Sequence, residues 1–531
     1  MANDPGDVET SITYTRRSVY AKGGDFSDPT ILWYARGVAA MKARPLADPT
    51  SWRFFGGIHG FDEKLWQSYG YLSPSERMPA PEQVSLYWDQ CQHGSWYFLP
   101  WHRGYVLALE RLIRTEVVRL GGPDTWALPY WNYFARNEND LPPAFATRDW
   151  PDGTGDNPLF VEQRWGPDKD GKRVYVPPEA VDLRALDEPD FTGRAQGGSP
   201  GFGGVETRFA HLHRPHGRME TQPHDVVHVV VGGKDPHPYG DEDECPGLMA
   251  VVGTAGLDPI FFLHHTNIDR LWETWLHGAI SRGNPTAPKW LNGPESAGDR
   301  AFVMPLPDGK PWRYTPGEMI DLAQLGYQYD DLTPAAVAPA AMQATQRLRG
   351  RFDARHVEEG VAAMGSSQNV ELVGASRQPL RIAGREEART SVELNGEVRR
   401  RVTESLAAAV DRAAGAAPDR VFLNLENVRS LSDAVAFRVF VNLPEGADPD
   451  AHPERAAGSV GLFGVTGATV SDEHGGVGQT YVLEITHIID ALHLEHALEA
   501  DALEIRIVPI MHVPESAQVS IGRVSVFRQG S

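Results

Sequence analysis

Apolar and polar positions along this chain follow one periodicity up to about residue 366 and a different one after it. In the first part the apolar residues recur at helical spacing. After Asp28-Pro29, for example, Leu32, Ala35 and Ala39 fall close to one face of a helix. Asp28 has the right side chain for an N-cap, and proline suits the first helical position. The pattern therefore predicts a core helix that begins at Pro29.

Two more helices are predicted further along the first part. One begins at His102 and runs through Leu109 and Val117, and the other covers Phe261 to Trp275. Both keep an apolar face at helical spacing. Residues 135–205, by contrast, are rich in Gly, Pro and Asp and show little periodicity. We expect long ordered loops there.

Beyond residue 366, segments such as VFLNLENV, AFRVFVNLP and ALEIRIVPI alternate apolar and polar residues, with turn residues between them. Several short strands of this kind predict an antiparallel β-sandwich. The Ala/Pro-rich stretch TPAAVAPAAMQATQ reads as a linker. The expected fold is a multi-domain α+β protein, with a mainly α-helical bundle at 1–331, a linker at 332–365 and a C-terminal antiparallel β-sandwich domain at 366–531.

Length and composition narrow the class of protein. With 531 residues the chain exceeds one ordinary core, which agrees with two domains. Its net charge of −21 disfavours nucleic acid and anionic membranes as partners. It has no apolar run near the roughly 20 residues that span a bilayer, no apolar signal core at the N-terminus, and only two cysteines. A soluble, cytoplasmic protein is the expectation.

The candidate chemistry lies in the histidines. His93 and His102 flank an aromatic cluster in HGSWYFLPWHRGYVLALE. Nine residues is about two and a half helical turns, so the two imidazoles cannot share one helix face. We expect His93 on a loop and His102 at the start of a helix. His224 and His228 are four residues apart, so one helix face can offer both imidazoles to one metal ion.

Two stretches resemble the copper signatures of the tyrosinase, polyphenol oxidase and haemocyanin family. The first is carried by His93, Phe98, Leu99, Trp101, His102, Arg103 and Glu110. The second, in DPIFFLHHTNID, is carried by Asp258, Pro259, Phe261, His265 and Asp269.

The resemblance implies a cofactor of two copper ions, each held by three histidines. The implied ligands are His59, His93 and His102 for one ion and His224, His228 and His265 for the other. A helix turns the adjacent His264 and His265 about 100° apart, and the family pattern selects His265. Imidazoles suit copper better than calcium or magnesium, while zinc remains an alternative on ligand type alone.

The family also implies roles for residues around the metals. Cys91, two residues before His93, is placed for a thioether to that ring. Glu220 would hold a water near the metals and, with Asp225, act as the base for a phenol. Asp225 stands where hydroxylating members often have Asn, which leaves that activity open.

Further residues are implied around the pocket and the second copper site. Val252, Phe261 and Val229 are expected to line the substrate pocket, with Phe261 packed on the ring of His265. Asp269 is expected to orient the metal-bound histidines. Tyr327 and Tyr329 form a Tyr-x-Tyr motif whose usual partner is an arginine, here Arg16 or Arg17.

The implied activity is oxidation of o-diphenols to o-quinones with O₂, with ortho-hydroxylation of monophenols left open. The C-terminal domain resembles that of plant polyphenol oxidases, which lies over the copper site and keeps those enzymes latent. A haemocyanin-like oxygen carrier and an o-aminophenol oxidase are the alternatives. The expected partners are O₂ and small phenols, with a copper-delivery protein and export alongside a partner left open.

Overall fold

The structure is a computed structural model that describes residues 13–167, 173–209, 214–235, 245–278, 282–334, 369–408, 419–470, 476–495 and 501–530. The predicted linker at 332–365 lies outside the described residues except for its first three positions. The described part holds a helical domain followed by a sheet domain.

The helical domain is built around two long helices that pack against each other. They are α5 and α9, and α1 also packs against α5. The helices of this domain are α1 Pro29–Lys42, α2 Trp52–His59, α3 Glu63–Ser68, α4 Pro81–Tyr87, α5 Phe98–Arg119, α6 Pro143–Ala146, α7 Val226–Gly232, α8 Val252–Ala255, α9 Pro259–Leu276, α10 Pro288–Leu291 and α11 Leu322–Leu325.

Local sequence explains where the main helices begin. The Asp28 carboxylate accepts a hydrogen bond from Thr30 N at 2.8 Å, so the predicted cap of α1 is confirmed. Asp258 caps α9 in the same way, with proline at its first position. Helix α5 begins at Phe98, four residues earlier than predicted, so His102 lies in its second turn. The described parts of residues 135–205, namely 135–167 and 173–205, run mainly as loops with short elements, as predicted.

A buried ion network ties the start of the chain to the two long helices. Strand β1 (Tyr14–Arg16) pairs in parallel with β6 (Tyr327–Tyr329). The Arg16 guanidinium lies 3.7 Å from the centre of the Tyr327 ring and donates to Tyr329 Oη at 3.1 Å. Of the two predicted arginines, Arg16 is therefore the partner of the Tyr-x-Tyr motif.

The C-terminal strands form one continuous antiparallel sheet in the order β12-β11-β14-β9-β7-β15-β10-β13, with β8 paired to β15. The edge strands β12 and β13 also contact each other, so the sheet nearly closes on itself. The antiparallel domain is confirmed, whereas its division into two stacked sheets is not. Its strands are β7 Val370–Ala375, β8 Leu380–Arg381, β9 Ala388–Leu394, β10 Arg420–Arg429, β11 Ala436–Val441, β12 Ala456–Gly461, β13 Gln479–Glu484, β14 Ala502–Pro509 and β15 Ser520–Gln529.

Three helices accompany this sheet, namely α12 Gly396–Ala408, α13 Val465–Thr469 and α14 Thr486–Leu494. The helical domain adds only short strand pairs, β2 Thr192–Gly193 with β3 Gly204–Val205 and β4 Phe302–Pro305 with β5 Pro311–Tyr314. Among the described residues, no helix is both long and apolar enough to cross a membrane.

The two domains meet through a buried ion cluster. Arg420, on β10, lies 2.6 Å from the Glu188 carboxylate of the helical domain and 2.8 Å from that of Glu484 on β13. Arg218, from the helical domain, binds Glu484 from the other side. These cationic neighbours hold the pKa of Glu484 well below its usual value. Each domain therefore supplies charges that the other neutralises.

Candidate metal centre

The first group of histidines gathers from three separate places in the chain. His59 ends α2, His93 lies on the loop before α5, and His102 lies within α5. Their ligand atoms, together with the sulfur of Cys91, all lie within 4.8 Å of one another and are buried. Gly94 has a φ of +59°, a left-handed conformation that glycine adopts without strain, and this turn follows His93 directly.

The second group comes from two segments. His224 lies in a π-helical turn, Glu220–Asp225, and His228 follows on α7. His264 and His265 lie on α9. The ligand atoms of these four histidines also fall within 4.8 Å of one another.

The two neighbouring histidines of α9 face different surroundings. The His265 ring stacks on His102 of the first group, with centroids 4.3 Å apart and an interplanar angle of 8°. Its Nε2 lies 3.2 Å from His228 Nε2. The His264 ring packs 5.7 Å from Tyr133, on the far side of the second group. This placement favours His265 as the metal ligand between the two groups. Both His264 and His265 nevertheless belong to the second group.

Hydrogen bonds at Nδ1 set which ring nitrogen remains for a metal. His59, His102 and His228 each have Nδ1 within 2.8 to 2.9 Å of a main-chain carbonyl, those of Val252, Phe98 and Met249 respectively. A ring that donates from Nδ1 presents the lone pair of Nε2. These three rings are thus held in the tautomer that a metal requires.

The donor set fits copper. Burial lowers the pKa of His102, His224, His228 and His265, so all four imidazoles are neutral at ordinary pH. His224 Nε2, His265 Nδ1 and both nitrogens of His264 are buried and make no hydrogen bond within the described part of the chain. Neutral imidazoles with buried, unused nitrogens suit copper or zinc and do not suit calcium or magnesium.

Acidic residues lie beside the second group. Glu220 accepts from Gly94 N through both carboxylate oxygens, at 2.9 and 3.1 Å. Burial raises its pKa to about 8. Asp225 lies 2.9 Å from His224 Nδ1 through one oxygen and 2.7 Å from His216 Nδ1 through the other. Glu220 and Asp225 therefore lie at the metal groups, where the resemblance placed them.

Three other predicted site residues, Phe261, Val229 and Cys91, are also buried near the two groups, whereas Val252 is half-buried. Phe261 lies 4.1 Å from the His265 ring and 4.8 Å from the His59 ring, measured between centroids. Val229 is fully buried next to His228. Cys91 Sγ lies 3.3 and 3.5 Å from the two ring nitrogens of His93.

Asp269 makes contacts that differ from those expected. Its carboxylate binds Arg103 and Arg16 and accepts from the hydroxyls of Tyr327 and Tyr329, rather than from a histidine ring. Since Arg103 follows His102 on α5 and Asp269 follows His265 on α9, this ion pair joins the helices of the two groups. Asp269 thus links the two helices that carry His102 and His265.

A side chain from the C-terminal domain covers the histidines. Phe463 follows β12, and its ring stacks on His228 with centroids 4.1 Å apart at 18°. It also meets His93 and His224 edge-on, at 5.4 and 5.7 Å. Gly464, at φ +80°, makes the turn behind it and lies against Val252. Phe463 belongs to the buried core of the helical domain, although the sheet domain carries it.

Sequence reasoning missed both Phe463 and His216. Phe463 lies in the turn after β12, and a single phenylalanine there gives no sign of which domain it contacts. His216 lies outside both copper signatures, and only the fold brings it to Asp225. The main-chain carbonyls that fix three histidines also follow from the fold and not from residue type.

Comparisons with known proteins agree with this geometry. Residues 49–278 match the common central domain of tyrosinase, and residues 369–529 match a domain of unknown function, DUF7868. Tyrosinase HcTyr1 of Hahella sp. (strain CCB-MM4) is 29% identical over 526 residues, which are 96% of this chain and 98% of that protein. Chloroplastic polyphenol oxidase A1 of Vicia faba is 27% identical over 310 residues, 56% of this chain and 45% of that protein. This chain thus matches less than half of the plant protein's length.

A solved structure extends the likeness to the whole fold. Latent apple tyrosinase superposes with a TM-score of 0.58 at 21% identity and covers 97% of both chains. The fold is therefore shared across both domains. Residues 49–278 therefore form a tyrosinase domain whose two histidine groups suit copper, and the chain as a whole is similar to tyrosinases and polyphenol oxidases.

Proposed function

We infer that this protein oxidises o-diphenols to o-quinones with O₂ at a dinuclear copper site, and that its C-terminal domain keeps the intact chain latent. The observation that carries the proposal is the pair of facing histidine groups with Phe463 stacked over them. The proposed ligands are His59, His93 and His102 for one copper and His224, His228 and His265 for the other.

When bound, the copper ions would supply O₂ binding and electron transfer, and the chain supplies the pocket and the proton handling. A flat phenol ring would lie where the Phe463 ring now lies, because that position is apolar and faces both histidine groups. Val252 and Val229 would border it. Both are small, so the pocket admits substituted rings once Phe463 has left.

Glu220 is the proposed acceptor of the phenol proton. In the copper-free chain burial raises the pKa of this carboxyl to about 8, and a raised pKa makes a carboxylate a stronger proton acceptor. Both oxygens of Asp225 already face histidine nitrogens. Glu220 is therefore the proposed proton acceptor, and Asp225 has only a supporting role. A monophenol needs this step more than a diphenol does, so hydroxylation depends on Glu220 most strongly.

The way in which the two domains meet supports the proposed latency. The Phe463 ring is buried against the histidines, and the Arg420 cluster holds the same interface. The solved relative that superposes over both domains is described as latent. We propose the division made from the sequence, a catalytic domain at 1–331 and a shielding domain at 366–531, with cleavage in the linker between Thr333 and Arg351 as the activating event.

Oxygen uptake with catechol, tyramine and an o-aminophenol, before and after limited proteolysis, tests the activity. Copper-loaded protein should consume O₂ with catechol, and the rate should rise severalfold or more after cleavage while the copper content stays constant. Reversible O₂ binding without turnover of any of the three would instead indicate an oxygen carrier. Turnover of the aminophenol alone would indicate a biosynthetic oxidase.

A further inference from the structure

A chain of three buried side chains leads from the second histidine group toward the C-terminal domain. His224 Nδ1 lies 2.9 Å from Asp225 Oδ1, and Asp225 Oδ2 lies 2.7 Å from His216 Nδ1. All three residues are at least 95% buried. His216 belongs to neither copper signature, and the proposed activity gives it no part.

His224 is held differently from the other histidines whose Nδ1 contact is described above. His59, His102 and His228 face main-chain carbonyls, whose position is fixed by the fold around them. The partner of His224 is a side-chain carboxylate, which can rotate about two bonds. A carboxylate accepts a stronger hydrogen bond than a carbonyl, but it orients the ring only if the carboxylate is itself held.

His216 supplies that restraint. Its Nδ1 faces the second oxygen of Asp225, so the carboxylate is held at both ends and its plane is fixed. The His216 ring is fixed in turn by Tyr481 of β13, with centroids 6.0 Å apart at 66°, and lies 3.7 Å from Glu220. Without a donor at this point, one oxygen of a buried carboxylate would lose its partner, which is unfavourable.

We propose that His216 is a positioning residue of the copper centre, which acts through Asp225 to orient His224 so that its Nε2 points at the metal. The buried Nε2 of His224, which makes no hydrogen bond among the described residues, is the atom that this arrangement presents. The proposal concerns copper binding and holds whichever phenol the enzyme oxidises.

Two matched variants of His216 test the proposal, because they differ in where the hydrogen-bond donor to Asp225 is placed. In His216→Asn the side-chain amide nitrogen can take the place of Nδ1, whereas in His216→Gln it falls near the position of Nε2. Copper retained by each protein is measured against increasing concentrations of a chelator, and thermal melting of the copper-free proteins reports folding. Removal of such a supporting contact weakens metal binding about 10- to 100-fold.

We expect His216→Gln to lose one of its two coppers at about 10- to 100-fold lower chelator concentration than wild type. His216→Asn should keep both coppers to within a few-fold of wild type, because the donor to Asp225 is restored. Equal retention by the Gln variant and wild type would overturn the proposal, and so would an equal loss in both variants. If the Gln variant does not fold, a loss of copper from a folded Asn variant still overturns it.

Discussion

At the scale of single residues, adjacent histidines on α9 have separate surroundings. His265 stacks on His102, across the gap between the two groups, while His264 packs near Tyr133. Both are buried with unused ring nitrogens. The stacking on His102 therefore favours His265 over His264 as the proposed metal ligand.

We predict that His265→Ala binds one copper per chain and that His264→Ala still binds two. The reason is that the His265 ring stacks on His102 of the first group, whereas the His264 ring packs near Tyr133, so loss of His265 opens the position between the metals. Elemental analysis after dialysis gives the stoichiometry, and the near-ultraviolet absorption that wild type gains with peroxide should survive only in His264→Ala. The opposite pattern would mean that His264 is the ligand.

A second residue-scale prediction concerns Glu220 in the copper-free protein. Burial raises its pKa to about 8 from the ordinary value of 4.5. Between these pH values the folded chain holds a proton that the unfolded chain has released, so stability falls as pH rises. In Glu220→Gln the free energy of unfolding should fall less across this window, by roughly 3 to 5 kcal/mol.

Denaturant unfolding at several pH values measures that difference. The exposed Glu82→Gln, on α4, is the control for the loss of one carboxylate. Parallel stability curves for Glu220→Gln and wild type would show that Glu220 titrates normally in the folded protein.

At the scale of elements, the loop before α5 brings a thiol to a histidine. Cys91 Sγ is nearly equidistant from the two nitrogens of His93, which suits a bond to the ring carbon between them. A thioether would replace one S–H and one C–H bond, and the two electrons and protons would pass to O₂ at the copper site. It would fix the ring before the metal arrives.

We therefore predict that copper-loaded, oxygen-exposed protein is lighter than its sequence mass by two hydrogen atoms. Intact mass spectrometry detects the difference, and the peptide with Cys91 should resist alkylation after denaturation. Cys245 lies outside the copper cluster and should alkylate fully, which makes it the internal control. Full alkylation of Cys91 would rule the bond out.

The elements also show what sequence could supply. Capping residues and helical spacing located α1 and α9, because those signals are local. The start of α5 was placed four residues late, since aromatic residues before His102 concealed the first turn. Alternation in the C-terminal segments predicted strands and their antiparallel pairing. It did not predict one nearly closed sheet. Closure depends on which edge strands meet, and a sandwich of two sheets and a single nearly closed sheet show the same alternation of apolar and polar residues.

At the scale of the whole molecule, the copper signatures pointed to six histidines, and the fold gathers all six into two groups. The contacts between domains could not be predicted. Phe463, Tyr481 and Arg420 lie in segments whose local pattern is that of any sheet, and their partners are more than 200 residues away. The same distance in sequence explains why the link from His216 to Tyr481 was not foreseen.

The central claim is that a single ring from the C-terminal domain closes a competent copper site. Replacing Phe463 by Ala in the intact chain removes the ring from above His228 while leaving the domain in place. Val465→Ala is the matched control, because Val465 is equally buried two residues further on but packs into the core of the sheet domain. It loosens the same loop without opening the site.

The most direct measurement is the rate of catechol oxidation by these three uncleaved proteins at equal copper content. The account predicts that Phe463→Ala turns over severalfold or more faster than wild type, while Val465→Ala stays close to wild type. Equal rates in Phe463→Ala and wild type, with two coppers bound in each, would contradict it.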